Sequence, residues 1–338
     1  MSTKAPATLR LIAEQCGVSM TTVSKILRGK YKGNTPKGRA SVEAVTGLAR
    51  KMGYIANGSA RRLRDGRHRA ILVLASADNL GHPAFFTMEY VTGIASVLNR
   101  ERYALSLSTY PDRQSDLAVG RLSDRNFDGA IVLDQSSPEL DRFLQAAAIP
   151  AVYVNVEPAR NRRSLCRDEY AAARSLVELL AGLGYRRLHV VGRRIGADGH
   201  FSGDLRQSGI RDAAAAAGMV VTASDVEDWD AGFEDALAAA QIPPDAAVIG
   251  LGASTALRLM RCLPPEQPLA CCDDAHLFVC TAPRLTRATF DRAALGRSAA
   301  EYLLRRLDHP DTRLDTTPCI HGVRLGASTP PLRPPAAG

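Results

Sequence analysis

Between Ser19 and Leu27 the chain sets Met20, Thr21, Ser24 and Lys25 on one side of a helix and Val23, Ile26 and Leu27 on the other. Short hydroxyls, a thioether and one cation can meet base edges in a DNA groove by hydrogen bond, apolar contact and charge. The elements that must hold them are legible nearby. Thr8 can cap a helix in which Leu9, Ile12 and Ala13 share a face, Gly17 supplies the left-handed turn that ends it, and Ser19 caps the second helix. This is the geometry of a helix-turn-helix, whose second helix enters the major groove; a plain helical hairpin would carry the same pattern. Thr8, Ser19 and Thr22 therefore stand with Met20, Thr21, Ser24 and Lys25 as candidate DNA-binding residues. Thr35-Pro36 opens a third helix, with Val42, Val45, Leu48, Ala49 and Met52 in helical register up to Gly53. The segment from Asn57 to Arg64 is about two turns long, too short to be a stable helix without a partner.

Charge points to the same partner. Through Ala70 there are 15 Lys and Arg against 3 Asp and Glu, while the rest of the chain has 28 against 32, so the net +8 belongs to the head. All six lysines lie between Lys4 and Lys51. A basic head on a mildly acidic body is the asymmetry of a nucleic-acid-binding module joined to a soluble domain.

The 338 residues, 46% hydrophobic and 23% charged, suffice for a small module plus one or two larger domains. No apolar run reaches the roughly 18 residues of a membrane helix, and residues 1–10 lack the apolar core of a signal peptide, which predicts a cytoplasmic protein. Seven cysteines without a CxxC pair argue against a disulfide framework or a zinc site. The expectation is a set of reduced thiols, no metal and no cofactor. The Pro-rich end from Thr329 has no heptads.

From Ala70 onward short apolar runs alternate with helical stretches. Ala70–Ala75, Ala104–Leu107, Ala130–Leu133 and Ala151–Val154 read as buried parallel strands, and the rhythm restarts with Leu188–Val191, Ala247–Leu251 and Leu269–Cys272. Helices are expected over Ala171–Leu183, Asp204–Ala217 and Thr255–Leu263. Two βα sets predict two doubly wound lobes, with a ligand cleft where their strands end.

TLRLIAEQCGVSMTTVSKIL, RASVEAVTGLARKMGYIAN and ARRL, in that order and at nearly the family spacing, resemble the head and hinge of the lactose/galactose repressor family. The resemblance runs on through HPAFFTMEYVTGI, FDGAIVL, LRQSGIRDA and LGRSAAEYLL to about Ser328. It implies an all-α helix-turn-helix head and an α/β body of two doubly wound parallel-sheet lobes of the periplasmic sugar-binding-protein type. It also implies that the helix over Ala293–Leu307 returns to the first lobe and that Ile320–Leu325 rejoins the second. In the head, Met20, Thr21 and Lys25 would read bases, Asn57 and Ala60 would lie in the hinge, and Leu63 would wedge into the minor groove. The loop over Arg28–Asn34 is one residue longer than is usual in the family, and Gly58 stands where Pro is common.

In the cleft, Arg206 matches the family's pocket arginine, whose fork suits hydroxyls, carboxylates or phosphates; the alternative is a salt bridge at a helix start. Asp273 matches an acid that holds sugar hydroxyls or a ring nitrogen, or else it is a turn residue. Trp229 matches an aromatic that packs a sugar ring, or else it simply packs. Of Phe85 and Phe86 at the mouth of the first βα unit one would line the pocket, and Phe86 is the candidate. Gly252-Ala253 replaces the Asn-Asp usual in the family, which points to an effector that is smaller, more apolar or differently oriented, or to none.

The expected organisation is a head over 1–56, a hinge and linker over 57–69, a first lobe from 70–165 with 290–318, a second from 166–289 with 319–328, and a tail over 329–338. The expected function is a repressor of transcription that binds a palindromic operator as a homodimer and answers to a small molecule, a sugar or sugar derivative. A regulator without an effector is the alternative. An enzyme is disfavoured, and no catalytic residue is assigned: the body has no lysine, no GxSxG elbow and no HExxH helix.

Overall fold

The computed structural model describes residues 7–27, 29–31, 33–54, 66–80, 86–110, 122, 126–158, 163–192, 200–226, 232–280, 284–316, 319 and 321–332. The chain forms two compact units, Met1–Arg67 and His68–Gly338.

The first unit holds α1 (Leu9–Cys16), α2 (Met20–Leu27) and α3 (Pro36–Lys51). Each starts at a hydroxyl that takes an otherwise unpaired backbone N–H. Thr8 Oγ1 accepts from Leu11 at 3.2 Å, Ser19 Oγ from Thr22 at 3.1 Å and Thr35 Oγ1 from Gly38 at 3.1 Å. Such caps contribute about 1 kcal/mol each. Gly17, at φ 64°, closes α1 in the left-handed region. Ile12, Ala13, Val23, Ile26, Val45 and Ala49 form the core between the three helices.

The second unit contains two sheets. The first joins β1 (Ala70–Ser76), β2 (Ala104–Tyr110), β3 (Gly129–Leu133), β4 (Ala151–Val154) and β5 (Ser164–Leu165) in the order β2-β1-β3-β4-β5, all parallel. β1 and β3 are continuous apolar runs because both faces are covered, as in a doubly wound sheet. Its helices include α4 (Ala77–Leu80), α5 (Phe86–Arg100) and α6 (Pro138–Ala146).

The other sheet joins β6 (Arg187–Gly192), β7 (Val220–Asp225), β8 (Ala247–Gly250), β9 (Leu269–Cys271), β10 (Thr286–Phe290) and β11 (His321–Arg324) in the order β11-β10-β9-β8-β6-β7. Only β11 runs antiparallel, against β10. Around it lie α7 (Glu169–Gly182), α8 (Phe201–Ala216), α9 (Phe233–Ala239) and α10 (Ala253–Cys262). The expected α/β body of two parallel-sheet lobes is the one observed.

After β10 the chain leaves the second sheet, and α11 (Arg292–Asp308) packs Leu295, Ala299, Ala300 and Leu303 into the core of the first sheet beside Tyr90, Ile94 and Val97. β11 then returns to the second sheet. Two glycines let α5 and α11 cross with their backbones in contact. A Cβ on Gly93 would collide with the carbonyl oxygen of Ala293, and one on Gly296 with that of Tyr90.

Several boundaries differ from the sequence reading for identifiable reasons. α7 begins at Glu169 rather than Ala171 because Asp168 Oδ1 caps it, accepting from Ala171 N at 2.9 Å. α8 begins at Phe201 rather than Asp204 because His200, an uncommon cap, accepts from Ser202 N. β7 and β10 were not expected as strands. β7 is an edge strand whose residues are mostly exposed, so it lacks an apolar run; β10 is buried yet carries Thr286, Arg287 and Thr289.

Replacing Gly296 by Ala is expected to destabilise the body by about 1–3 kcal/mol through overpacking against α5. Gly182→Ala, where a Cβ meets nothing within 4 Å, should instead be neutral or stabilise by up to about 1 kcal/mol. Thermal or urea unfolding of the two variants checks the opposite signs.

Candidate functional site

In the first unit α2 presents two faces. Val23 and Ile26 are buried against α1 and α3, and Met20, Thr21 and Lys25 are exposed, Met20 by 55%. Ser19 and Thr22 are partly committed, since their hydroxyls share a hydrogen bond of 2.9 Å at the start of α2. Thr8 is the cap of α1, and Ser24 is half-buried. The outward face is polar with a single cation, so charge alone would give it little sequence preference; hydroxyl and thioether geometry would supply it. Asn57, Ala60 and Leu63 lie outside the described residues, as does Trp229.

In the second unit Arg206 and Asp273 come together. Asp273 follows β9 at its C-terminal end, and Arg206 projects from the second turn of α8. All three kinds of Arg206 nitrogen are used: Nε donates to Glu169 Oε2 at 2.9 Å, Nη1 to the Leu251 carbonyl at 2.6 Å and Nη2 to Asp273 Oδ2 at 3.0 Å. Two more arginines reach the same carboxylate. Arg167 Nη1 donates to Asp273 Oδ1 at 2.9 Å, and Arg292 Nη2, from the first turn of α11, donates to that oxygen as well. Arg167 Nη2 also lies 2.6 Å from Glu169 Oε1, and Arg292 Nη1 lies 3.6 Å from Glu89 Oε2. Beside them Arg287 pairs with Asp274.

The network spans both lobes. Glu89 and Arg292 belong to helices packed on the first sheet, and Asp273, Glu169 and Arg206 to the second. Burial alone would raise the Asp273 carboxyl, but Arg206, Arg167 and Arg292 outweigh it and hold the group far below the usual carboxylate range. Burial also raises the Glu89 carboxyl, against the pull of Arg292.

A second bridge lies at the strand ends of the first lobe. His200 Nε2 sits 2.9 Å from the Asn155 carbonyl and 3.2 Å from that of Asp134, and its Nδ1 accepts from Ser202 N at 3.3 Å. Two carbonyl acceptors on Nε2 and an N–H on Nδ1 fix a neutral ring protonated at Nε2. Burial lowers its pKa, partly offset by Asp134. Asp134 and Asn155 follow β3 and β4 with φ of 62° and 57°, a left-handed conformation that Asp and Asn tolerate and that turns both side chains toward each other. Thr87 Oγ1 and Asn155 Nδ2 occupy the two Asp134 oxygens, at 3.1 and 2.9 Å. Phe86 is half-buried and packs with the core of Phe233 and Phe278.

Comparison with known proteins fits this geometry. Residues 177–329 match the periplasmic binding protein-like domain family. The chain is 25% identical to the HTH-type transcriptional regulator CelR of Thermobifida fusca over 89% of its own length and 92% of that protein. It is 23% identical to the HTH-type transcriptional repressor PurR of Haemophilus influenzae, over 92% and 96%. The chain thus resembles helix-turn-helix transcription regulators along nearly its whole length. Its fold matches the lac repressor dimer bound to operator and the anti-inducer ONPF with a TM-score of 0.76 at 21% identity, covering 96% of this chain and 99% of that one. It matches the CelR–cellobiose complex with a TM-score of 0.65 at 22% identity, over 95% and 99%.

The sequence singled out Arg206 and Asp273 separately, as candidate effector contacts, and gave no sign that they pair or that Arg167, Glu169, Arg292 and Glu89 join them. Arg167 and Glu169 flank the capping residue of α7, and Arg292 opens α11, positions that look like ordinary helix-start charges. Their burial was the missing signal. Gly252 caps α10 without a side chain, and Ala253 is buried. No helix among the described residues is long and apolar enough to cross a membrane.

Asp273→Asn leaves three buried guanidiniums with one counter-charge fewer and is expected to cost about 3–5 kcal/mol of stability, read by denaturant unfolding. The lowered His200 pKa means that the unfolded chain takes up a proton first as pH falls. Stability of the body should therefore drop as pH falls below about 6.5, and His189, also lowered by burial, should add to the drop. His200→Asn, which keeps a capping oxygen, should flatten the stability profile between about pH 7 and 5.

Proposed function

We propose that the protein is a DNA-binding regulator of transcription, a repressor, that acts as a homodimer on a palindromic operator in the cytoplasm and is not an enzyme. The observation that carries this reading is the exposed Met20, Thr21 and Lys25 face of α2, on the unit that holds every lysine of the chain. The names of its relatives, transcription regulators and repressors, support it. Residues 1–56 serve as a helix-turn-helix head and 57–69 as a hinge in which Asn57, Ala60 and Leu63 meet the minor groove. Residues 70–165 with 290–318 and 166–289 with 319–328 serve as the lobes of an effector and dimerisation body, followed by a tail over 329–338. Thr8, Ser19, Thr22 and Ser24 hold and flank the reading face.

A small molecule, a carbohydrate or its derivative, binds between the lobes near Arg206, Asp273, Phe86 and Trp229 and shifts the hinge between folded and frayed states, which need differ by only a few kcal/mol. One observation favours a second reading, a regulator without effector: the Arg206 fork is already taken by Glu169, Asp273 and Leu251.

DNA selected from a random pool by the full chain should contain an inverted repeat. Its affinity, followed by fluorescence anisotropy, should fall steeply with salt, at a log–log slope of about −0.9 per phosphate neutralised. Lys25→Ala should cost about 1–3 kcal/mol of discrimination between selected and random duplexes. An equal loss on both would make Lys25 a phosphate contact, and a flat salt response would contradict DNA binding by the head.

A further inference from the structure

The arginines of the interlobe network differ in how fully they are used. Arg206 spends every kind of nitrogen it has, whereas Arg167 Nε and Arg292 Nε have no hydrogen-bond partner among the described residues and Arg292 Nη1 has only the 3.6 Å ion pair with Glu89. Arg167 is 6% and Arg292 2% exposed, so these donors are shielded from bulk water. A buried donor left unmet costs about 1–3 kcal/mol, more on a charged group. Both guanidiniums lie near the Phe290 ring, 4.7 and 6.0 Å from its centroid, and their shared acceptor Asp273 Oδ1 sets them side by side. The fully buried Tyr90 hydroxyl is likewise unpartnered, and it lies close enough to Arg167 and Arg292 for their charges to act on it.

The carboxylates are in the opposite condition. Asp273 Oδ1 takes Arg167, Arg292 and the Asp274 N–H, its Oδ2 takes Arg206, Glu169 faces Arg206 and Arg167, and Asp134 is held by Thr87 and Asn155. A neutral polyol needs acceptors for its hydroxyl protons as well as donors for its oxygens. Each of these acids, Glu89 beside Arg292 included, already faces an arginine or amide; the hydrogen-bond acceptors left open are Asn155 Oδ1 and the ion-paired Glu169 Oε1, against the donors Arg167 Nε, Arg292 Nε and the Tyr90 hydroxyl.

We infer that the molecule taken up between the lobes bears an anionic group, a carboxylate or a phosphate, that Arg292 and Arg167 bind, with Tyr90 donating to it. A hydroxyl of the same molecule can donate to Asn155 Oδ1. This rests on the reading of the interlobe cleft as an effector site, and it specifies the effector as a sugar acid or sugar phosphate rather than a neutral sugar. Arg292 is the selecting residue: it is the most buried of the three arginines, its Nε is open and its Nη1 has only the 3.6 Å ion pair with Glu89.

The test is thermal unfolding and calorimetric titration of the full chain with gluconate, galacturonate and glucose 6-phosphate, each against its neutral counterpart, glucose or galactose. An acid should raise Tm by several degrees at concentrations where its parent sugar leaves it unchanged, and the sugar acids against the phosphate distinguish the two anions. Arg292→Met should weaken that binding at least tenfold, and Arg292→Lys should retain part of it. Because acid and parent are compared on the unaltered chain, the result holds even if a variant fails to fold. Equal or greater stabilisation by the neutral sugars overturns the anionic assignment while the effector site stands. No shift with either set overturns both, and an acid effect undiminished in Arg292→Met reduces it to general anion stabilisation.

Discussion

The body is organised around one carboxylate. Asp273 takes three guanidiniums, from Arg167, Arg206 and Arg292, each delivered by a different stretch of chain. Desolvating so many charges is worthwhile only where the geometry satisfies nearly all of them, since an isolated buried ion costs several kcal/mol. That condition explains why Glu169 is completely buried in the first turn of α7, why the Leu251 carbonyl turns toward Arg206, and why Arg287 is neutralised locally by Asp274. Apolar packing builds each lobe, but the polar network specifies how the two lobes meet.

Specificity of this kind needs rigid supports. Arg292 is the first residue of α11, which is fixed to α5 by the backbone approach at Gly93 and Gly296. Arg206 rides on α8, whose close packing against α7 is marked by Gly209, where a Cβ would strike the Tyr170 carbonyl. Small residues thus appear where two helices must approach so closely that the charged groups at their ends arrive in register.

The two-lobe architecture was legible because fully covered parallel strands read as apolar runs, and most of those runs became strands. The helix caps of the head were legible too, since Thr8, Ser19 and Thr35 are the residue types that accept a free N–H. The edge strand β7 and the polar β10 were not, because the first is mostly exposed and the second buries polar side chains that pair with loop residues such as Asp274 and Thr329. Of the buried charge network, Arg206 and Asp273 stood out in sequence through family likeness. Arg167, Glu169 and Arg292 did not, because a charge at a helix start looks the same in sequence whether water or another lobe covers it.

The chain passes between the two sheets three times, after β5, between β10 and α11, and again before β11. Each lobe is consequently discontinuous in sequence, so no single cut yields one lobe whole. Gene truncation or duplication cannot shuffle the halves as independent cassettes, and during synthesis the first lobe cannot complete its core until α11 has emerged, by which time nearly all of the second already exists. The halves are therefore obliged to mature, and to be lost, together.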